Sequence, residues 1–512
     1  MRCTQLLEPV MITGRVYRSF KPTRVAECAI LLGGRVLHVG SLESCEKACR
    51  ALGGCIEYGV KGAAIPGFVD SHLHLSSTGR STRIIELRDC RSIRELVDRI
   101  RRAYQQGLGV VGGWVYARGW DQERLGATPS RRDLDQAVPD KPAIAVRVCG
   151  HVAVLNTKAL ELVGLKLAER FRGLIDLEHG VVREEALEEV VEAIESQIPL
   201  KEIEEDILRA QEAMLRNGIV ACSWMSASLP ELLTALKLTA QGRLVIRVSV
   251  YLSREAYRLL VDSSIDPRIG VGGLRVRGVK EFCDGSLGAR TALLSQPYSD
   301  SPETRGVRLL SVEDAVSLAV ECEQKGLELA LHAIGDAAVD IALEAARRAP
   351  RTVRIEHASL VRDDQLPLLA AYPKGVSIQP RFIVSDWWAE KRLGWRTKWL
   401  YRIRDMVEWM VELGFSSDSP VEPLNPLEGV YAATCGAEWI SREHLVDLET
   451  ALRLYTMGSA RLSGFSDLGA IEPGFEASIV VLDKDPLEVS LEETRRIRVY
   501  RTIVRGLVCE PD

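Results

Sequence analysis

Short apolar segments alternate with segments of helical periodicity over most of the chain, and this alternation restricts its folding more than any other feature. Eight strands are expected, at residues 65–74, 219–223, 244–252, 274–282, 328–332, 353–357, 375–379 and 413–418. Between or after them, residues 315–325, 337–348 and 450–460 repeat apolar side chains at i, i+3 and i+4, the spacing of helices buried on one side. Strands that alternate with helices belong to βα units around a parallel sheet. Eight such units close a barrel, so the predicted class is α/β, a (β/α)8 TIM-type barrel.

At 512 residues the chain is longer than such a barrel, which takes about 250. Both ends are rich in β-branched residues and punctuated by glycine, at residues 10–16, 29–39 and 57–64 and again at 477–482 and 499–508. They predict one small β-sandwich built from residues 1–64 and 468–512, because strands distant in sequence must cover each other's apolar faces. The barrel then takes residues 65–109 and 166–467. Residues 110–165 interrupt it with strand-like pieces such as 143–148, too long for a βα loop, and read as an inserted α/β subdomain.

Chemistry concentrates at the ends of the expected strands. His72 and His74 are two positions apart near the end of the first, so alternation puts both imidazoles on one face. Of eight histidines in the chain, His332 ends the fifth strand and His357 the sixth. Lys280 lies on the fourth, and Asp418 ends the eighth. Strand C-termini of a barrel converge on one face, where these six can meet around a cation. Each has an ordinary explanation alone: a hydrogen-bonded histidine, a helix cap at Asp418, a pair between Lys280 and Asp284. Five strands offering a potential ligand at the same end make coincidence a poor account.

The motifs PGFVDSHLHL (66–75), RVCGHVAVLN (147–156), VKEFCDGSLGARTA (279–292), HAIGDAAVD (332–340), IEHAS (355–359), SSDSPVEPLNP (416–426) and GAIEPGFEASIVVLD (469–483) stand in this order. The chain thereby resembles the amidohydrolase superfamily, in the branch of N-substituted formamide deformylase-like proteins. The resemblance implies the barrel, the sandwich and an inserted subdomain at the active-site mouth. It implies that His72 and His74 hold one zinc-type divalent ion and His332 and His357 a second. Lys280 would bridge them as a carbamate, the rival being an unmodified Lys280 beside a single ion. Asp418 would be both ligand and proton shuttle. Arg147 and His151 could assist catalysis or, with Asn156, fasten the insertion. Trp120, Asp284, Ser286, Arg290 and Gln379 are the substrate-binding candidates. Two positions depart from the family pattern: Ser478 in the last motif and Glu281 next to Lys280.

The implied reaction is hydrolysis of an amide, formamide or cyclic amide by metal-activated hydroxide. The same site would suit a lactone, ester or phosphoester, or deamination of a heterocycle. A non-catalytic binding or assembly relative is the alternative of another class. A net charge of −5 gives no footprint for nucleic acid, and no apolar stretch reaches a membrane span, so the expected partner is a small molecule, with homo-oligomers left open. The N-terminal residues show no secretory pattern, which predicts a cytoplasmic protein. Twelve cysteines without paired spacing predict buried free thiols. Asparagine occurs only at positions 156, 217 and 425, which leans toward a heat-adapted source.

Overall fold

The computed structural model describes residues 2–5, 8–148 and 150–510. The chain forms two compact units, one from the residues up to Leu75 together with those from Gln211 onward, the other Ser76–Ala210. In the first, eight parallel strands follow in chain order: β1 (Phe68–Leu73), β2 (Ile219–Ala227), β3 (Arg247–Ser253), β4 (Leu274–Phe282), β5 (Glu328–Ala333), β6 (Val353–His357), β7 (Gly375–Ile378) and β8 (Leu413–Phe415). Each hydrogen-bonds to the next, and helices such as Val312–Gln324 and Asp336–Arg348 fall between them. The ring nearly closes between β8 and β1, where the Asp418 N–H donates to His72 O and the His74 N–H to Ser419 O, both at 2.9 Å.

Two expected elements divide. The strand read at 65–74 breaks at Gly67, because Ala63–Pro66 pairs antiparallel with Ile479–Leu482 in another sheet. A Cβ on Gly67 would stand 2.6 Å from the Val220 side chain, so only glycine lets the chain cross there. The helix read at 450–460 is an α-helix over Leu448–Arg453, a π-helical turn over Leu454–Gly458 and an α-helix over Ser459–Leu462. The Ser459 hydroxyl sits 2.7 Å from both Leu454 O and Phe415 O, tying the widened turn to the end of β8.

Both chain ends join one nine-stranded sheet, in the order Arg2–Gln5, Leu507–Glu510, Val499–Val504, Ile479–Leu482, Ala63–Pro66, Val10–Ser19, Arg24–Leu32, Arg35–Gly40, with Ile56–Gly59 added on Val10–Ser19. Alternation divides its side chains: Val10, Ile12, Val16 and Leu31 pack with Ile479, Ile503 and Val508. Met11, Cys28 and Ile30 face the other way, against Cys45 and Cys49 of the helix Leu42–Ala51. There the expectation of free thiols fails. Cys28 is bonded to Cys45 and Cys49 to Cys55, and Cys509 is also disulfide-bonded. Separations of 17 and 6 residues announce no pairing, which arises only when the helix docks on the sheet. Cys90, Cys222, Cys283 and Cys322 are buried free thiols as expected, and Cys149 lies outside the described residues.

The second unit carries its own sheet, ordered Ile175–Asp176, Val181–Arg183, Val152–Leu155, Ala143–Arg147, Trp114–Trp120, Ile85–Glu86, with Val110–Val111 added on Trp114–Trp120. It begins and ends well outside residues 110–165. Leu96, Val97 and Ile100 of the helix Ile93–Gln105 pack with Val115, Ala117 and Trp120, a choice of partner that an amphipathic pattern does not reveal. Asn156 fastens this unit: its amide donates to Val138 O and Lys141 O, and its carbonyl accepts from the N–H groups of Ala143 and Ala159. Among the described residues no helix is long and apolar enough to cross a membrane.

Candidate metal centre

The site grows from the closure of the barrel. Buried Asp70 accepts from the N–H groups of His72 and Ser417, so one carboxylate fixes the ends of β1 and of the segment after β8. His72 and His74 then project from the same face. Asp418, held at φ +57°, turns its carboxylate toward them. Its Oδ1 stands 3.2 Å from His72 Nε2 and 3.3 Å from His74 Nε2. Donor atoms of these three residues all lie within 4.8 Å of one another.

His357 and His332 extend the cluster. Ring centroids are 4.9 Å apart between His72 and His357 and 4.4 Å between His357 and His332. Arg354 and Glu356 point into the barrel, so strict alternation would send His357 to the outer face. At φ +73° it instead forms a γ-turn, in which the Ala358 N–H donates to Glu356 O at 3.0 Å, and its ring comes back to the cluster. This strained backbone sits at a proposed ligand, as functional strain often does.

The ring nitrogens are assigned by their partners. His72 Nδ1 lies 2.6 Å from Glu356 Oε2 and His357 Nδ1 2.8 Å from Gln379 Oε1, so Nε2 of each is the nitrogen left to face an ion. His332 uses Nε2 on Gly285 O at 3.0 Å, which leaves Nδ1. Lys280 is buried on β4 with Nζ 3.5 Å from the Phe282 ring centroid.

Burial, with Lys280 and the neighbouring histidines adding to it, pushes His332 well below its ordinary value and His357 down to about 4, so both are neutral. Burial alone would raise Asp418, but His72, His74 and His357 outweigh it and hold the carboxyl far below the usual range. For His72 burial is again outweighed, here by Asp418 and Glu356, and the ring is held above its ordinary value. Burial pulls Lys280 down to about 8 against the opposing charges of Glu356 and Asp418. Neutral imidazoles, a firmly anionic carboxylate and a position that favours positive charge are what a divalent transition-metal ion requires. The donor set fits such an ion.

Several candidates have other work. Gln379, expected to bind substrate, orients His357 and donates to Ser416 Oγ. Asp284 is fully buried and accepts from the N–H groups of Leu293, Ile334 and Gly335, strapping the loops after β4 and β5 together. Ser286 accepts from the Ala289 N–H, and Arg290 forms a two-point pair with Asp300. Trp120 is core in the second unit, its indole donating to Ala145 O. Arg147 binds Gln122 and lies 3.5 Å from Asp121, and His151 is 3.2 Å from Glu184, all within that unit. The departing residues are also paired: Glu281 with Arg254, and Ser478 with Glu476. Sequence reasoning missed Asp70, Arg354 and Glu356. The available signal was charge inside otherwise apolar strands, where it needs a partner.

A family model described as "Amidohydrolase family" matches residues 62–509. A crystal structure of an uncharacterized metal-dependent hydrolase from Pyrococcus horikoshii OT3 is 38% identical, with a TM-score of 0.86 over 95% of this chain and 99% of that one. The putative amidohydrolase YtcJ of Bacillus subtilis is 27% identical over 88% of this chain and 90% of its own length. The N-substituted formamide deformylase of Arthrobacter pascens is 25% identical over 99% and 98%.

Proposed function

The chain belongs to the amidohydrolase family and is a hydrolase of carbon–nitrogen bonds other than peptide bonds, and from that premise we propose that it cleaves a small amide, formamide or cyclic amide in the cytoplasm. His72, His74, His332, His357 and Asp418 would hold one or two zinc-type ions. The observation that carries this reading is Asp418 Oδ1 facing two imidazole nitrogens at 3.2 and 3.3 Å, with the rings of His357 and His332 next in line.

When bound, such an ion lowers the pKa of water toward neutrality and polarises the substrate carbonyl. Asp418, kept anionic by its histidines, accepts the proton of the attacking water and returns it to the leaving nitrogen. Lys280 is the proposed bridge. At about 8 a useful share of its amine is neutral near physiological pH. Nζ could then add to carbon dioxide, releasing one proton and leaving an anionic carbamate that would help hold a divalent ion.

The test is a screen of the purified chain over formamides, N-acyl amines, hydantoins and lactones, before and after chelation. Turnover of a carbon–nitrogen substrate is expected, lost on chelation and restored by added divalent metal. Asp418→Asn should lower kcat by roughly 10²–10⁴-fold with the fold retained. Full turnover by metal-free protein, or hydrolysis confined to lactones, would refute the reading.

A further inference from the structure

A fully buried ion pair crosses the barrel behind His72, and its arginine has no role in the chemistry described above. Arg354 and Glu356 are both inaccessible to solvent. The guanidinium grips the carboxylate twice, Nε to Oε1 at 2.5 Å and Nη2 to Oε2 at 3.1 Å. Burying two charges is costly and is repaid only when their remaining hydrogen-bonding capacity is met. Here it is met in a directed way. Arg354 Nη2 also donates to Ser71 O at 2.6 Å, the carbonyl preceding His72, and Nη1 reaches Ser223 Oγ on β2 and the Tyr251 hydroxyl on β3, each at 3.3 Å. Glu356 Oε2 accepts from the His72 Nδ1–H at 2.6 Å.

We propose that Arg354 and Glu356 are positioning residues for the metal centre, a two-charge clamp that sets the tautomer, ring orientation and strand position of His72. Glu356 makes Nδ1 the protonated nitrogen and so presents the Nε2 lone pair to the side where Asp418 stands. Arg354 fixes the carboxylate on one side and the His72 backbone on the other, so ring and strand cannot shift independently. The guanidinium also neutralises Glu356, which is therefore free to orient His72 without acting as a competing ligand. A carboxylate behind a ligating imidazole raises its basicity as well as fixing its orientation, and loss of such a partner costs about 10–100-fold in metal affinity.

This inference rests on the metal-centre reading, and its test is chosen to separate the two. Metal-free full-length protein is titrated with Co(II), read by ligand-field absorption and by competition with a chelator of known affinity, with thermal unfolding of the metal-free variants alongside. Glu356→Ala should bind cobalt about 10–100-fold more weakly with an altered spectrum. Glu356→Gln, which keeps an oxygen acceptor for the Nδ1 proton, should recover part of that loss. If Glu356→Ala does not fold, Glu356→Asp carries the test, since it keeps the partner of Arg354 but withdraws the oxygen from His72. Wild-type affinity and spectrum in the Ala or Asp variant, or a folded Gln variant no tighter than Ala, would overturn the clamp. A wild-type chain that binds no cobalt would instead overturn the metal centre itself.

Discussion

Lys280 is where one residue decides the most. Its side chain is buried against the Phe282 ring, and burial draws its amine down to about 8 despite the nearby charges of Glu356 and Asp418. A permanent ammonium there would repel an ion held by the proposed histidine ligands, whereas a carbamate would help hold it. Lys280→Ala should therefore lose roughly 10–100-fold in metal affinity, and added formate or acetate should restore part of both metal content and turnover. An Ala variant that keeps its metal and rate unaided would show that Lys280 is not a bridge. The same scale shows how a residue's type can be informative while its role is not. Gln379 and Trp120 were each expected at substrate, yet one orients His357 and the other fills a core. A polar amide and an indole suit either fate, and only their neighbours choose.

At the scale of elements, strand ends do more than present side chains. The γ-turn at His357 and the left-handed backbone at Asp418 redirect two proposed ligands that regular strands would aim elsewhere. The π-helical turn over Leu454–Gly458 lets its helix press on the end of β8, where a Cβ on Gly458 would meet Leu413 O at 2.3 Å. Far from this chemistry, the helix Leu42–Ala51 is stapled to the sheet by Cys28–Cys45 and at its end by Cys49–Cys55. Loops of 17 and 6 residues correspond to about 3 and about 2 kcal/mol of chain-entropy stabilisation. Full reduction should lower the melting temperature measurably, and Cys45→Ser should reproduce part of that effect. An unchanged transition after complete reduction, verified by thiol titration, would contradict this.

For the whole molecule, the proposed metal centre would draw on residues from His72 to Asp418, so a bound ion would join β1, β5, β6 and the segment after β8. An ion that binds only the folded chain stabilises it by mass action, about 2.7 kcal/mol at a hundred times its dissociation constant. Chelation should lower the melting temperature and added metal should restore it in proportion to the logarithm of free metal. A transition indifferent to metal would mean that the site holds none. The eight strands and the histidines, lysine and aspartate near their ends could be read in advance because apolar period and residue type are local properties of the sequence. The bounds of the insertion and the disulfides could not, since each depends on which surface an amphipathic element meets.

The chain by itself therefore determined the barrel, the joined ends and the histidines, lysine and aspartate from which a metal site can be made. What holds those residues in register was decided only in three dimensions. His72 and Glu356 are 284 positions apart, and Asp70 and Ser417 are 347 apart. No pattern along a chain records such partners, because a buried charge states only that it needs one. Closing the ring of strands supplies it.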